Sequence, residues 1–107
     1  MAQYFISYLG GNHPSSPEEG QQHFARYMEW LNSLGDAAVS PANPLANTHC
    51  IRADGSHSEG SQTTMSGYTI VEADSMDAAL EMARACPFLE IDGTLEVSEL
   101  MAMPGSN

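Results

Sequence analysis

Four histidines, His13, His23, His49 and His57, are the residues of this chain best suited to moving protons near neutral pH. No two of them stand at the i, i+4 spacing that presents a pair of metal ligands on one helix face. No cysteine pair has zinc-ribbon spacing either. His49 and Cys50 are neighbours on a predicted strand and point to opposite faces. No metal centre is expected from such spacing. Cofactor motifs are absent as well: there is no P-loop, no Gly-x-Gly-x-x-Gly and no Gly-x-Ser-x-Gly. No cofactor is therefore expected. The chain has no lysine, which excludes Schiff-base chemistry. Cys86 precedes Pro87 at a predicted helix end, where the dipole disfavours a thiolate nucleophile. What remains is general acid–base work by a histidine with a carboxylate nearby.

The elements that would position these groups are legible. Tyr4 to Leu9, bounded by Gly10-Gly11, predicts a strand. Ser16-Pro17-Glu18-Glu19 predicts a helix start, with Ser16 as N-cap, Pro17 at the first position and Glu19 closing a capping box. That helix should run to Leu34 and stop at Gly35. Phe24, Tyr27, Met28, Leu31 and Leu34 form its apolar stripe, with His23 and Trp30 at the edge and Gln22, Arg26 and Glu29 opposite. Asp36 to Asn47, carrying Pro41 and Pro44, reads as a short extended piece and then an irregular loop. Thr48 to Ala53 reads as a strand, Asp54-Gly55 as a hairpin turn, and the polar segment Ser56 to Thr64 as a mobile connection. Gly67 to Ala73 is the clearest strand, with the look of one buried on both faces. Asp74 or Ser75 caps a second helix with Met76, Ala79, Leu80 and Ala83 inward, and Pro87 prevents its continuation. Thr94 to Met101 is the last strand. The expectation is one domain over residues 1–103 and a frayed tail over 104–107.

Strand, helix, strand, strand, helix, strand with right-handed crossovers gives a four-stranded antiparallel α+β sheet with both helices on one face. The other face is left bare and needs a cover. A second copy supplies it, so a homodimer is expected. In that order Tyr8, His13, His23, Asp54 and His57 converge at the sheet end where the first helix begins. His23 and Asp54 are the candidate catalytic pair; Tyr8, His13 and His57 are candidate substrate contacts. Each also has a plain structural reading: packing for Tyr8 and His23, a turn for Asp54, solvent for His13 and His57.

Composition narrows the partners. Fourteen acidic residues face three arginines, for a net charge of −11. That charge argues against nucleic acid and against anionic membrane surfaces. Two cysteines are too few for a disulfide framework, and no stretch is long and apolar enough to span a bilayer. A cytoplasmic protein with reduced thiols is expected. The methionines Met65, Met76, Met82, Met101 and Met103 read as core filler and edge packing.

Gly67-Tyr68-x-Ile70-Val71-Glu72-Ala73-Asp74-Ser75, Cys86-Pro87 and Gly93-Thr94-Leu95-Glu96-Val97, in that order, resemble the YCII-related family of small bacterial proteins. The resemblance extends over nearly the whole chain and is strongest from Ser66 to Met103. It implies a ferredoxin-like fold, a dimeric α+β barrel, and in some members an enzyme with a His/Asp pair in a pocket. The first-helix histidine of that pair matches His23, and the resemblance assigns no residue to the aspartate. The Asp-Gly-Pro-Phe motif of some members is absent here. Two readings stay open: a small cofactor-independent enzyme performing acid–base chemistry on a small organic molecule, and a non-catalytic binding or accessory domain.

Overall fold

The structure is a computed structural model that describes residues 1–102; the tail expected over 104–107 lies outside the described residues. Strand β1 (Ala2–Gly10) leads to helix α1 (Pro17–Leu34), a 3₁₀ turn (Gly35–Ala37) and strand β2 (Ala38–Pro44). A small hairpin follows, β3 (His49–Ile51) and β4 (His57–Glu59). Strand β5 (Met65–Ala73), helix α2 (Met76–Arg84), a 3₁₀ segment (Pro87–Ile91) and strand β6 (Gly93–Glu99) complete it. The four-stranded sheet has the order β2-β5-β1-β6 and is antiparallel throughout. This is the expected α+β, ferredoxin-like architecture.

The strand assignment is corrected. The sheet's second strand is Ala38–Pro44, where a short extended piece and a loop were expected, while His49–Ile51 pairs only with His57–Glu59 in a separate hairpin. Pro41 and Pro44 are tolerated because β2 is an edge strand, where a missing N–H costs no ladder bond. The irregular register of β2 against β5, with shifts between Ala38 and Ser40 and between Ser40 and Asn43, absorbs them. The Ser56 to Thr64 segment is also more regular than expected, since it contains β4.

Local chemistry sets the helix ends. Ser16 caps α1 by accepting from the Glu19 N–H at 3.1 Å, as expected, but the Glu19 carboxylate accepts from Ser15 Oγ and so does not close the reciprocal box. Ser75, the second of the two caps weighed for α2, accepts from the Ala78 N–H. Gly35 ends α1 at φ +57°, a backbone that favours glycine.

The core lies between the helices and one sheet face. Tyr4, Ile6 and Tyr8 of β1 and Val71 and Ala73 of β5 meet Trp30 and Leu31 of α1 and Ala79 and Ala83 of α2. Trp30 Nε1 donates to the Met82 carbonyl at 2.9 Å and ties the two helices together. The α1 stripe is rotated from the one expected: Trp30 is buried, whereas Phe24 is 62 % exposed and Met28 is also exposed. β5 alternates buried and half-buried positions rather than being buried on both faces. Cross-strand pairs share a face, so Phe5 with Ile70 and Ser7 with Tyr68 occupy the side away from the helices. Phe5 and Tyr68 stack there with ring centroids 4.8 Å apart.

Candidate functional site

A cavity of about 590 Å³ opens where β1 ends, α1 begins and β5 starts, within the size range of small-molecule sites. Six parts of the chain wall it, the loop after β1 through Asn12 and Pro14 and the start of β5 through Ser66 and Gly67 among them. Tyr8 comes from β1; Glu19, Gly20, His23, Phe24, Arg26 and Tyr27 come from the first turns of α1; Ala42, Asn43 and Pro44 come from the end of β2; Phe88, Glu90 and Ile91 come from the 3₁₀ segment. Helical spacing explains the α1 contribution, because residues three and four apart share a face. Gly67 lets β2 and β5 close the wall: a Cβ there would stand 3.0 Å from the Asn43 carbonyl oxygen and 3.4 Å from the Tyr8 ring. Asn12 holds the far lip, its N–H donating to the Ile91 carbonyl at 2.8 Å and its amide to Asp92 Oδ2 at 3.0 Å.

His23 is half-buried on this wall, and its Nδ1 is fully buried without a hydrogen-bond partner among the described residues. A buried polar atom left unpaired costs about 1–3 kcal/mol. Tyr8 meets the cavity from the sheet. Its hydroxyl bonds to the Tyr27 hydroxyl at 2.9 Å and to Thr69 Oγ1, and burial pushes its phenol well above the ordinary tyrosine range. The ring of Tyr8 also packs against Phe88, centroids 5.2 Å apart, and edge-on against Tyr27 at 6.0 Å. At the rim, Arg26 Nε donates to Glu90 Oε1 at 2.9 Å.

Of the five residues expected to converge, the structure brings His23 and Tyr8 to one cavity. His13 is exposed in the loop after β1, between two lining residues but not itself on the wall. Asp54 and His57 are not brought there, because the 49–59 hairpin stands outside the four-stranded sheet. Asp54 Oδ1 accepts from the Ser56 N–H at 2.9 Å, and the bonds from Ser56 hold its carboxyl below the usual value. His57 Nε2 lies 2.8 Å from His49 Nδ1, with the two rings stacked. Lining residues that are not site candidates from sequence include Arg26, Phe24, Tyr27, Asn43, Phe88 and Glu90. Arg26 lies opposite the apolar stripe by helical period, yet it stands three residues after His23 and shares its side of the cavity. A signal for Phe24 existed: a large apolar residue one position from a histidine, on a helix whose anchor is Trp30.

Both cysteines are free. Burial pushes the Cys86 thiol up to about 11, which agrees with a non-nucleophilic thiol. Among the described residues no helix is long and apolar enough to cross a membrane.

Comparison with known proteins adds a family and a fold. The model of the YCII-related domain matches residues 5–104. No curated protein matches the sequence. Among solved structures, the chain is similar to 5-chloro-2-hydroxyhydroquinone dehydrochlorinase (TftG) from Burkholderia phenoliruptrix AC1100, in complex with 2,5-dihydroxybenzoquinone. The two share 17 % identity at a TM-score of 0.56, over 97 % of this chain and 99 % of that one. A likeness at that identity is one of fold.

Proposed function

This chain belongs to the YCII-related domain family, and from that footing we propose that it is a small cofactor-independent enzyme performing acid–base chemistry on a small organic molecule in the α1 cavity. The observation that carries the reading is His23: an imidazole on the cavity wall whose buried Nδ1 has no partner among the described residues. Unpaired buried polar atoms are rare, and a catalytic role is one of the reasons a native structure keeps one. His23 is also rigidly carried, one turn from Tyr27 on a helix anchored by Trp30. Tyr8 and Tyr27 supply hydroxyls on the same wall, and Phe24 and Phe88 supply apolar area. The YCII-fold neighbour is described as an enzyme on a small ring compound, which supports the cavity as a place for chemistry on small molecules.

The chain works as a homodimer in this reading. Phe5, Tyr68 and Ile70 form an apolar centre on the sheet face that no helix covers among the described residues. Two free thiols and a net charge of −11 fit a reducing cytoplasmic setting with neither nucleic acid nor membrane as partner.

A second reading is a non-catalytic binding domain. It is favoured by one fact: among the described residues no carboxylate is hydrogen-bonded to His23. One experiment separates the two. The protein is incubated in D₂O with a panel of hydroxybenzenes and cyclic 1,3-diketones, and deuterium incorporation is followed by NMR. An enzyme accelerates exchange of at least one compound, and His23→Gln loses roughly 10²-fold or more of it. Compounds that bind in the cavity but exchange at the buffer rate would establish the binding domain.

A further inference from the structure

Four groups on and behind the cavity wall are bonded in series. The Tyr27 hydroxyl lies 2.9 Å from that of Tyr8, Tyr8 bonds to Thr69 Oγ1, and Thr69 Oγ1 donates to the Pro41 carbonyl at 2.6 Å. Proton counting fixes the direction of each link. Every hydroxyl has one proton to give and a carbonyl has none. The last bond is therefore donated by Thr69, whose single proton is then committed. Thr69 must accept from Tyr8, and Tyr8, its own proton committed, must accept from Tyr27. All three protons point from the cavity wall into the sheet. Thr69 is fully buried and Tyr8 nearly so, which leaves no solvent to reverse the order. Burial also raises the Tyr8 phenol, so the relay does not open by ionisation.

The wall therefore offers a ligand the lone pairs of Tyr27 and not its proton. We infer that Tyr27 is the specificity-determining residue of this cavity and accepts a hydrogen bond from a hydroxyl on a small aromatic ligand. The aromatic part of the assignment comes from the surrounding Tyr8, Phe24 and Phe88 rings. His23 stands one helical turn before Tyr27, so their Cβ atoms are about 5–6 Å apart. One six-membered ring spans that gap, with its hydroxyl at Tyr27 and its neighbouring positions toward the imidazole. A ligand that presents only a carbonyl or an ether to Tyr27 sets lone pairs against lone pairs and is rejected.

The inference rests on the cavity being the ligand site proposed above, and it does not depend on turnover. Its test is binding of phenol, anisole and acetophenone, followed by ¹⁵N-resolved NMR titration. Phenol can donate to Tyr27, and the other two cannot. The wild-type protein is expected to prefer phenol to anisole at least tenfold. Tyr27→Phe removes the acceptor and brings that ratio to within twofold of one. Thr69→Val removes the proton sink, freeing Tyr8 to donate to Tyr27 and Tyr27 to donate outward. In that variant acetophenone gains on phenol at least fivefold. A wild-type ratio under tenfold, a ratio that survives Tyr27→Phe, or no shift of cavity resonances by any probe overturns the inference. Should Thr69→Val fail to fold by circular dichroism, the Tyr27→Phe ratio decides alone. If phenol binds as described but no compound exchanges protons, the enzyme reading fails and this inference stands.

Discussion

Arg26 Nε donates to Glu90 Oε1 at 2.9 Å, joining the first helix to the 3₁₀ segment at the rim of the cavity. Arg26 is one of three cations in a chain of net charge −11, so an anionic ligand finds little other positive charge to meet. Both side chains are about half exposed, and such pairs contribute no more than about 1 kcal/mol to stability. Glu90→Gln should therefore leave thermal unfolding nearly unchanged while releasing the guanidinium. Benzoate should then bind several-fold tighter than to the wild-type protein, and the gain should fade in 0.5 M salt. An equal affinity in both proteins would show that Arg26 does not face the ligand.

Trp30 is the only tryptophan and is 5 % exposed. Its Nε1 donates to the Met82 carbonyl and links the two helices. Trp30→Phe removes that bond, leaving the Met82 carbonyl only the Ala85 N–H at 3.3 Å, and removes ring volume, which together should cost about 1–3 kcal/mol. Urea unfolding followed by circular dichroism measures this. In the wild-type protein, tryptophan emission should shift to the red in the same transition.

These two residues also show how far the sequence reaches. Period and capping reveal α1, but they centre its stripe on Phe24, Tyr27, Met28, Leu31 and Leu34. Trp30 buries the most area of any residue on the helix and rotates the inward face toward itself, which leaves Phe24 on the cavity lip. Periodicity weighs apolar residues alike and does not see this. β2 was hidden by Pro41 and Pro44, because a strand with two prolines is acceptable only at a sheet edge, and edge position is a tertiary fact. The misplaced strand carried the site with it. A strand over Thr48 to Ala53 within the sheet would carry Asp54 and His57 to the end where α1 begins, whereas the 49–59 hairpin stands outside the four-stranded sheet. Tyr8 and His23 were legible because both belong to elements whose type and direction the local sequence determines. Arg26 and Glu90 were not, since 64 residues separate them and only the packed fold makes them neighbours.

Two of the buried acids set the alkaline stability in part. The Cys86 thiol is raised by burial from 9.0 to about 11, and the Tyr8 phenol is raised from 10.0 by burial as well. A group whose folded value lies above its unfolded value supports the fold fully below the unfolded value. That support is lost as pH rises toward the folded value. Unfolding should thus become easier from about pH 9 upward, first through Cys86 and then through Tyr8, at no more than about 1.4 kcal/mol per pH unit for each group. Melting temperatures between pH 7 and 11 test it. Cys86→Ala should flatten the first part of the decline and leave the second. In the wild-type protein a thiol reagent at pH 8 should label Cys50, which is partly accessible, well before Cys86.

The uncovered sheet face makes the last prediction. Phe5, Tyr68 and Ile70 form its apolar centre, and the strand register sets Glu72 beside Gln3 and Glu96 beside Ser7 on the same side. A second copy related by a two-fold axis would bury the apolar centre against itself, over at least about 1,000 Å² in total for a stable pair. It would also bring acidic residues of two chains, each carrying −11, close together. Salt screens that repulsion over about 8–10 Å at 0.1–0.15 M. Sedimentation at micromolar concentration should therefore give twice the 11.5 kDa chain mass at 0.3 M salt and a weaker dimer at 0.01 M. Ile70→Lys should give the single-chain mass at either salt. Its Trp30 emission should stay that of the wild-type protein, because Trp30 packs on the opposite side of the sheet. A wild-type protein that sediments as a monomer at 0.3 M salt would mean that this face meets something other than its own copy.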